Sequence, residues 1–124
     1  RVDWQKRDKE LSEMVEVSAN RLRHQEGKPT QITLAAIGRD IDQLALLQQH
    51  LPKLPVTGRL LKDLTETREA FAVRRIQWIA KQYDGEQIRP RKWELIKKAG
   101  VERMLMVPQV KEALEAALQN FIRN

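Results

Sequence analysis

The polar and basic side chains that could do chemistry in this sequence form no catalytic constellation. The chain has no cysteine and only two histidines, His24 and His50, so it lacks a thiolate zinc site and a cysteine nucleophile. It also lacks a glycine-rich phosphate loop, a serine nucleophile elbow and a paired His–carboxylate spacing. We therefore expect no enzymatic activity, no cofactor, no metal and no small-molecule substrate.

The first candidate binding residues lie on and just after a short helix predicted over residues 43–51. Glutamine and histidine make directional contacts with base edges, and glutamine pairs in a two-pronged way with adenine. Residues 31–58 carry two basic and two acidic side chains. This neutrality favours base reading, or else no DNA contact at all, and a polar solvated helix face is the simpler alternative. The candidate DNA contacts here are Gln43, Gln48, Gln49, His50 and Lys53.

The second candidate set is basic and lies further along the chain. The formal net charge is +6, and residues 59–103 carry nearly all of it, with twelve basic and seven acidic side chains. Such a surplus favours association with a polyanion, although a solvated helix face also accounts for a charge run. These residues fit phosphate contacts, which set affinity without specifying sequence, and Arg103 could also reach bases. The set is Arg74, Arg75, Arg91, Lys92, Lys97, Lys98 and Arg103.

Three tryptophans could be stacking platforms for single strands or ordinary core residues. Trp4, Trp78 and Trp93 all lie on apolar helical stripes. We therefore expect all three to be packed in the core.

The elements that position these residues are helices, because the apolar spacing is helical almost throughout and no alternating strand pattern is sustained. Asp3 and Thr33 are suitable N-caps, and Gly100 is a suitable C-cap. The sequence leaves open whether Thr65–Thr67 breaks the fourth helix, and residues 101–107 are ambiguous. The predicted helices cover about residues 3–25, 34–41, 43–51, 57–83, 90–99 and 108 to the end.

Two segments of the chain, 29–38 and 90–100, resemble each other. Each has a proline, a bulky apolar residue three positions on and a leucine five positions on, and each follows a long helix and a glycine-containing turn. This layout predicts an all-α protein with two modules, 1–58 and 59–124, each a long helix followed by a helix-turn-helix. Such a motif places its second helix in the major groove of DNA.

No apolar run approaches the roughly 20 residues of a membrane helix, and no signal peptide is visible. We expect no membrane partner and a cytoplasmic, nucleoid-associated location. The chain starts at Arg1 rather than at a methionine, so we interpret it as one compact fragment of a longer protein.

Scattered residues over nearly the whole chain, fewest after Arg103, resemble one known family in their order and spacing. The set comprises Asp3-Trp4, Arg7-Asp8, Ile32-Thr33, Ile37-Gly38, Leu46-Leu47, His50-Leu51, Leu54-Pro55, Glu66, Phe71, Arg74-Arg75-Ile76, Trp78, Trp93, Leu95 and Ala99-Gly100. It resembles the C-terminal region of TnsD proteins, which select the target site of bacterial transposons that insert at a fixed chromosomal attachment site. Asp42 departs from the pattern, because a glycine is expected between the two short helices.

The resemblance implies sequence-specific binding to double-stranded DNA at the attachment site. It also implies partnership with an ATPase regulator of the transposase, through a zinc-binding N-terminal part that this sequence lacks. The alternative is a helical adaptor that binds a partner protein, with the basic stretch meeting an acidic surface. The neutral first module and the apolar run Met104–Val107 favour that alternative.

Overall fold

The computed structural model describes residues 1–123, and side chains as far as Phe121. The described residues contain no strand, so the all-α prediction is confirmed. Seven α-helices lie in this range, with single 3-10 turns at Leu51–Lys53 and Glu102–Met104. The helices are α1 (Trp4–Arg23), α2 (Leu34–Asp40), α3 (Leu44–His50), α4 (Pro55–Leu64), α5 (Arg68–Gly85), α6 (Lys92–Ala99) and α7 (Pro108–Arg123).

The helices pack into two compact units, one of residues 1–66 and one that begins at Thr67. The predicted boundary between the two modules, at residues 58 and 59, lies inside α4. In the structure α4 packs along α1 in the first unit. Tertiary contacts place the whole of α4 in the first unit, because Asp8 of α1 accepts hydrogen bonds from the first turn of α4 and Leu61 is buried in the first core.

The first unit is organised around α1. Asp3 caps this helix by accepting a hydrogen bond from the Lys6 amide, and Thr33 caps α2 through the Ala36 amide, as predicted. Both caps satisfy amide groups that have no partner within the helix. The buried apolar residues of this core are Leu11, Val15, Ala19, Ile32, Ile37, Leu47, Leu54 and Leu61.

The long helical stretch predicted from residue 57 is two helices in the structure. Thr67 caps α5 by accepting a hydrogen bond from the Ala70 amide at 3.0 Å. The Glu66 amide donates to the Ile32 carbonyl at 2.7 Å, while the Glu66 carboxylate accepts from the Ile32 amide at 3.0 Å. The break is therefore fixed by a cap and by pairing with the segment before α2.

In the second unit α5 packs on α6 and α7. Gly100 ends α6 with φ of 69°, a left-handed conformation that glycine adopts without a Cβ clash. Only the 3-10 turn Glu102–Met104 lies between α6 and α7. The second unit therefore has no further short α-helix at the position that corresponds to α3. Its buried core residues are Ala72, Ile76, Leu95, Ala99, Val101, Val110, Leu114 and Ala117.

Candidate nucleic-acid interface

Two short helices of the first unit, α2 and α3, are joined by a turn of three residues, Ile41–Gln43. Asp42 has φ of 57°, so it occupies the left-handed conformation at the position where a glycine is expected. The Gln43 amide donates to the Gly38 carbonyl at 2.8 Å, which satisfies a carbonyl at the end of α2. Aspartate is one of the few residues that adopts this conformation readily. The turn between α2 and α3 is therefore tight even though Asp42 stands in place of the expected glycine.

Gly38 allows the two helices to approach closely. A Cβ at Gly38 would lie 2.9 Å from the Cα of Leu44, at the start of α3. Because that neighbour is backbone, α3 could not keep its position beside a larger residue. The angle between α2 and α3 therefore depends on the absence of a side chain at Gly38.

The outer face of α3 presents two of the predicted candidates. Gln48 and Gln49 are exposed, whereas Leu47 is 0% exposed and holds the helix to the first core. Ala45 is also exposed, three and four positions before the glutamines, and so lies on the same face. Ala45 is not among the predicted contacts, although its spacing from Gln48 and Gln49 indicates that it shares their face.

The other candidates of the first unit lie at the two ends of α3 and just after it. Gln43 is half-buried and precedes the helix. The His50 ring lies 5.0 Å from the Trp4 ring between centroids, and the Lys53 ammonium lies 4.8 Å from the same Trp4 centroid. His50 is therefore engaged by α1 and does not share the open face of the glutamines. Lys53 is exposed while it rests on Trp4. Their role in binding DNA stays a prediction.

The position of α2 on α1 is fixed by Asp40. The Ser18 hydroxyl, which is buried, donates to the Asp40 carboxylate at 2.6 Å, and the Arg21 guanidinium donates to the same oxygen. The Ser18 hydrogen bond holds the pKa of Asp40 below its ordinary value of 3.8, against the opposing effect of burial, and Arg21 adds to the lowering. This arrangement clamps the end of α2, just before the turn to α3.

In the second unit α6 carries three exposed lysines. Leu95 and Ala99 bury the inner side of the helix, and Lys92, Lys97 and Lys98 are exposed. The structure therefore brings these three predicted candidates together on one short helix.

At the start of α6, Arg91 is exposed and occupies the N-cap position. Its amide donates to the Glu94 carboxylate at 3.1 Å, so the acid in the first turn is directed back to the helix end. This hydrogen bond involves the backbone of Arg91 and leaves its guanidinium unaffected.

Arg74 and Arg75 contact the Phe71 ring on α5, with guanidinium carbons 5.5 and 5.0 Å from its centroid. Arg75 also donates to the Gly100 carbonyl at 3.3 Å and so links α5 to the end of α6. Both arginines are half-buried. Arg75 thus has a packing role in addition to its predicted phosphate contact. Arg103 lies exposed in the 3-10 turn after α6.

The prediction that all three tryptophans are core residues is wrong for Trp93. Its side chain is 61% exposed on α6, whereas Trp4 packs against the first core and Trp78 is half-buried. The reason is helix geometry. Trp93 and Leu95 are two residues apart and so point in directions separated by about 200° around the helix axis. Leu95 is 0% exposed, so Trp93 must face outward.

Residues 1–61 match the family model TnsD, described as Tn7-like transposition protein D. The match supports a TnsD-type protein. The matched segment covers α1, α2, α3 and most of α4, and thus includes the α2–α3 pair with its glutamine face. No curated protein and no solved structure matches the chain significantly.

The TnsD family implies involvement in Tn7-like transposition and in target selection. Its members are target-site selectors or regulators rather than enzymes, and the family suggests DNA and other transposition proteins as partners. Among the described residues, no helix is long and apolar enough to cross a membrane.

Proposed function

We propose that this chain binds double-stranded DNA sequence-specifically and thereby selects the chromosomal attachment site of a bacterial transposon. In this proposal α2 and α3 form a helix-turn-helix, with α3 in the major groove. Once bound at the attachment site, the full protein would contact an ATPase regulator of the transposase through a part outside this chain.

The observation that carries the proposal is the outer face of α3. Gln48 and Gln49 are exposed on a helix whose opposite side is anchored by the buried Leu47. Glutamine can pair with adenine through both its amide oxygen and its amide nitrogen, and alanine can pack on a thymine methyl group. Ala45, Gln48 and Gln49 together therefore suit a site that contains A·T pairs.

The basic residues of the second unit supply the sequence-independent part of the proposed binding. From Thr67 onward the chain carries twelve basic and seven acidic side chains. Lysine and arginine neutralise phosphates and release counterions, which increases affinity for any sequence at low salt. Arg91, Lys92, Lys97, Lys98 and Arg103 are the exposed members of the predicted set in this unit.

The test is selection of binders from a random pool of DNA duplexes at moderate salt, followed by sequencing. Convergence on one motif is the expected result, and a Gln48→Ala, Gln49→Ala double variant should lose preference at a few of its positions. A pool that stays random after several rounds would contradict sequence-specific binding.

A second candidate function, a helical adaptor for a partner protein, is favoured by one observation. Met106 is 92% exposed and its neighbour Leu105 is 38% exposed, in the turn before α7. Exposed apolar side chains side by side are typical of contact sites for other proteins. DNA affinity that does not change with salt, or no DNA affinity, would favour the adaptor.

A further inference from the structure

The exposed tryptophan of α6 has no role in the proposed duplex binding. Trp93 is the largest exposed apolar side chain in the described part of the second unit, at 61% exposure. An exposed indole offers a partner a large flat apolar surface. Its surroundings indicate what that partner is.

The surroundings of Trp93 are cationic. Lys97 is exposed four residues on, one helical turn away on the same face. Lys92 and Lys98 are also exposed, but they point about 100° and 140° away from Trp93 around the helix axis. Glu94 is the acidic residue of this helix, and its carboxylate accepts a hydrogen bond from the Arg91 amide. The positive electrostatic potential around the indole therefore favours a ligand that is anionic and also carries a flat apolar group.

We propose that the face formed by Trp93 and Lys97 binds single-stranded DNA, with an unpaired base stacked on the indole and Lys97 on the adjoining phosphate. Lys92 and Lys98 lie further round the helix and add to the positive potential. An unpaired base presents a flat π-surface to the indole, and the phosphate of each nucleotide carries a negative charge that lysine can bind. Both the aromatic and the cationic part of this helix surface therefore have a partner in single-stranded DNA. In a paired duplex the base faces are covered by their neighbours, and only unpaired nucleotides expose them. Stacking of this kind tolerates any sequence.

The proposal goes beyond duplex reading, although it uses the same lysines of α6. Reading by α3 requires base edges in a groove, whereas stacking on Trp93 requires base faces. The side chains that would contact bases in the two activities therefore differ and lie in different units, although both activities use lysines of α6. A variant at Trp93 separates them.

The experiment measures anisotropy of a fluorescein-labelled oligothymidylate of about 15 nucleotides and of a labelled duplex hairpin with the full chain at low salt. We expect Trp93→Ala to weaken oligothymidylate binding by about 5- to 150-fold, the range known for base–aromatic stacking. Trp93→Phe should restore most of the affinity. Duplex affinity should change by less than about threefold.

Met106→Ala is the matched control, because Met106 is exposed and apolar but lies outside α6. It should leave oligothymidylate binding unchanged. Because Trp93 is exposed, its variants should keep the wild-type melting temperature, which circular dichroism checks.

Three results would overturn the proposal. One is an oligothymidylate affinity that Trp93→Ala does not change, and another is an equal loss for the single strand and the duplex. The third is binding of an acidic peptide of alternating glutamate and leucine that depends on Trp93, without binding of oligothymidylate. That last result would assign the face to a protein partner. Failure of the duplex selection, by contrast, would leave the oligothymidylate result standing.

Discussion

Asp8 of α1 and Thr57 of α4 are 49 residues apart in the chain and form a buried hydrogen-bonded pair. The Thr57 hydroxyl oxygen lies 2.7 Å from Oδ1 of Asp8, and the Thr57 amide donates to the same oxygen at 2.8 Å. The Val56 amide donates to the other carboxylate oxygen at 3.0 Å. Asp8 therefore serves as a cap for α4 from another helix, and it joins the two longest helices of the first unit.

We expect Asp8→Asn to destabilise the first unit by about 1–3 kcal/mol, because the amide would place an NH2 group against the Val56 or Thr57 donors. Urea unfolding followed by circular dichroism measures the change. Asp3→Asn is the matched control, since Asp3 is an exposed cap on the same helix and asparagine caps equally well. Equal stability losses in the two variants would contradict the role of the buried pair.

The Asp8 carboxylate also makes the stability of the first unit depend on pH in the acid range. Burial raises the pKa of Asp8, but the hydrogen bonds from Thr57 and Val56, with the nearby charge of Arg59, outweigh it and lower the pKa below 3.8. A group whose pKa is lower in the folded state stabilises it above the unfolded pKa, and this contribution is lost as pH falls through the folded pKa. The free energy of unfolding should therefore fall below about pH 4.

Urea unfolding between pH 6 and pH 3 tests this dependence. The decline should be shallower in Asp8→Asn, which has no carboxylate to protonate at this position. Asp40 also has a lowered pKa, so a residual decline should persist. A variant that follows the wild-type curve with a constant offset would exclude Asp8 as a source of the pH dependence.

The parts of the fold that the sequence predicted well are those fixed by neighbouring residues. The caps Asp3 and Thr33 and the C-cap Gly100 satisfy backbone groups within four positions, so sequence spacing is enough to find them. The capping role of Asp8 could not be predicted from sequence spacing, because its partner Thr57 is 49 residues away.

The candidate interface was predictable to a similar extent. The glutamines of α3 were indicated by the leucine spacing on the opposite side. Trp93 was misassigned because an apolar residue near a stripe was counted as part of it, although the helix turns about 100° per residue. His50 has a suitable spacing as well, but its ring lies against Trp4 on a helix some 45 residues earlier, which local spacing cannot indicate.

Gly38→Ala should separate α2 from α3. The new Cβ would lie 2.9 Å from the Leu44 Cα, so the clash can be relieved only by moving backbone. We expect a loss of about 1–3 kcal/mol in stability from this overpacking, even though alanine is the better helix former. A smaller preference for the selected DNA motif should accompany the loss.

The control for Gly38→Ala is Gly58→Ala in α4, where the nearest side-chain atom, Cγ of Leu51, lies 3.6 Å from the new Cβ. This ordinary van der Waals distance should allow the helix propensity of alanine to raise stability by about 0.5–1 kcal/mol. Thermal melts of both variants give the comparison. Stabilisation by Gly38→Ala would show that α2 and α3 do not need this close approach.

Gly100→Ala tests the end of α6. The left-handed φ of 69° is costly for a residue with a Cβ, so we expect a loss of about 1 kcal/mol, measured by urea unfolding. Gly85→Ala, at the end of α5, is the control, because its φ is not positive and a Cβ there meets no atom within 4 Å. If both substitutions had the same effect, the conformation of Gly100 would not be the cause.

The lysines of α6 and the glutamines of α3 should differ in how they affect DNA affinity. Lys97→Ala and Lys98→Ala should weaken binding to all duplexes alike and reduce the slope of log affinity against log salt by up to about one for each phosphate that is no longer neutralised. Gln48→Ala and Gln49→Ala should leave that slope unchanged and reduce discrimination at a few base positions by about 1–3 kcal/mol each. Titration of the selected duplex and a scrambled duplex at four salt concentrations separates the two effects. A uniform loss from the glutamine substitutions would mean that α3 contacts only phosphates, and the base-reading assignment of its outer face would be wrong.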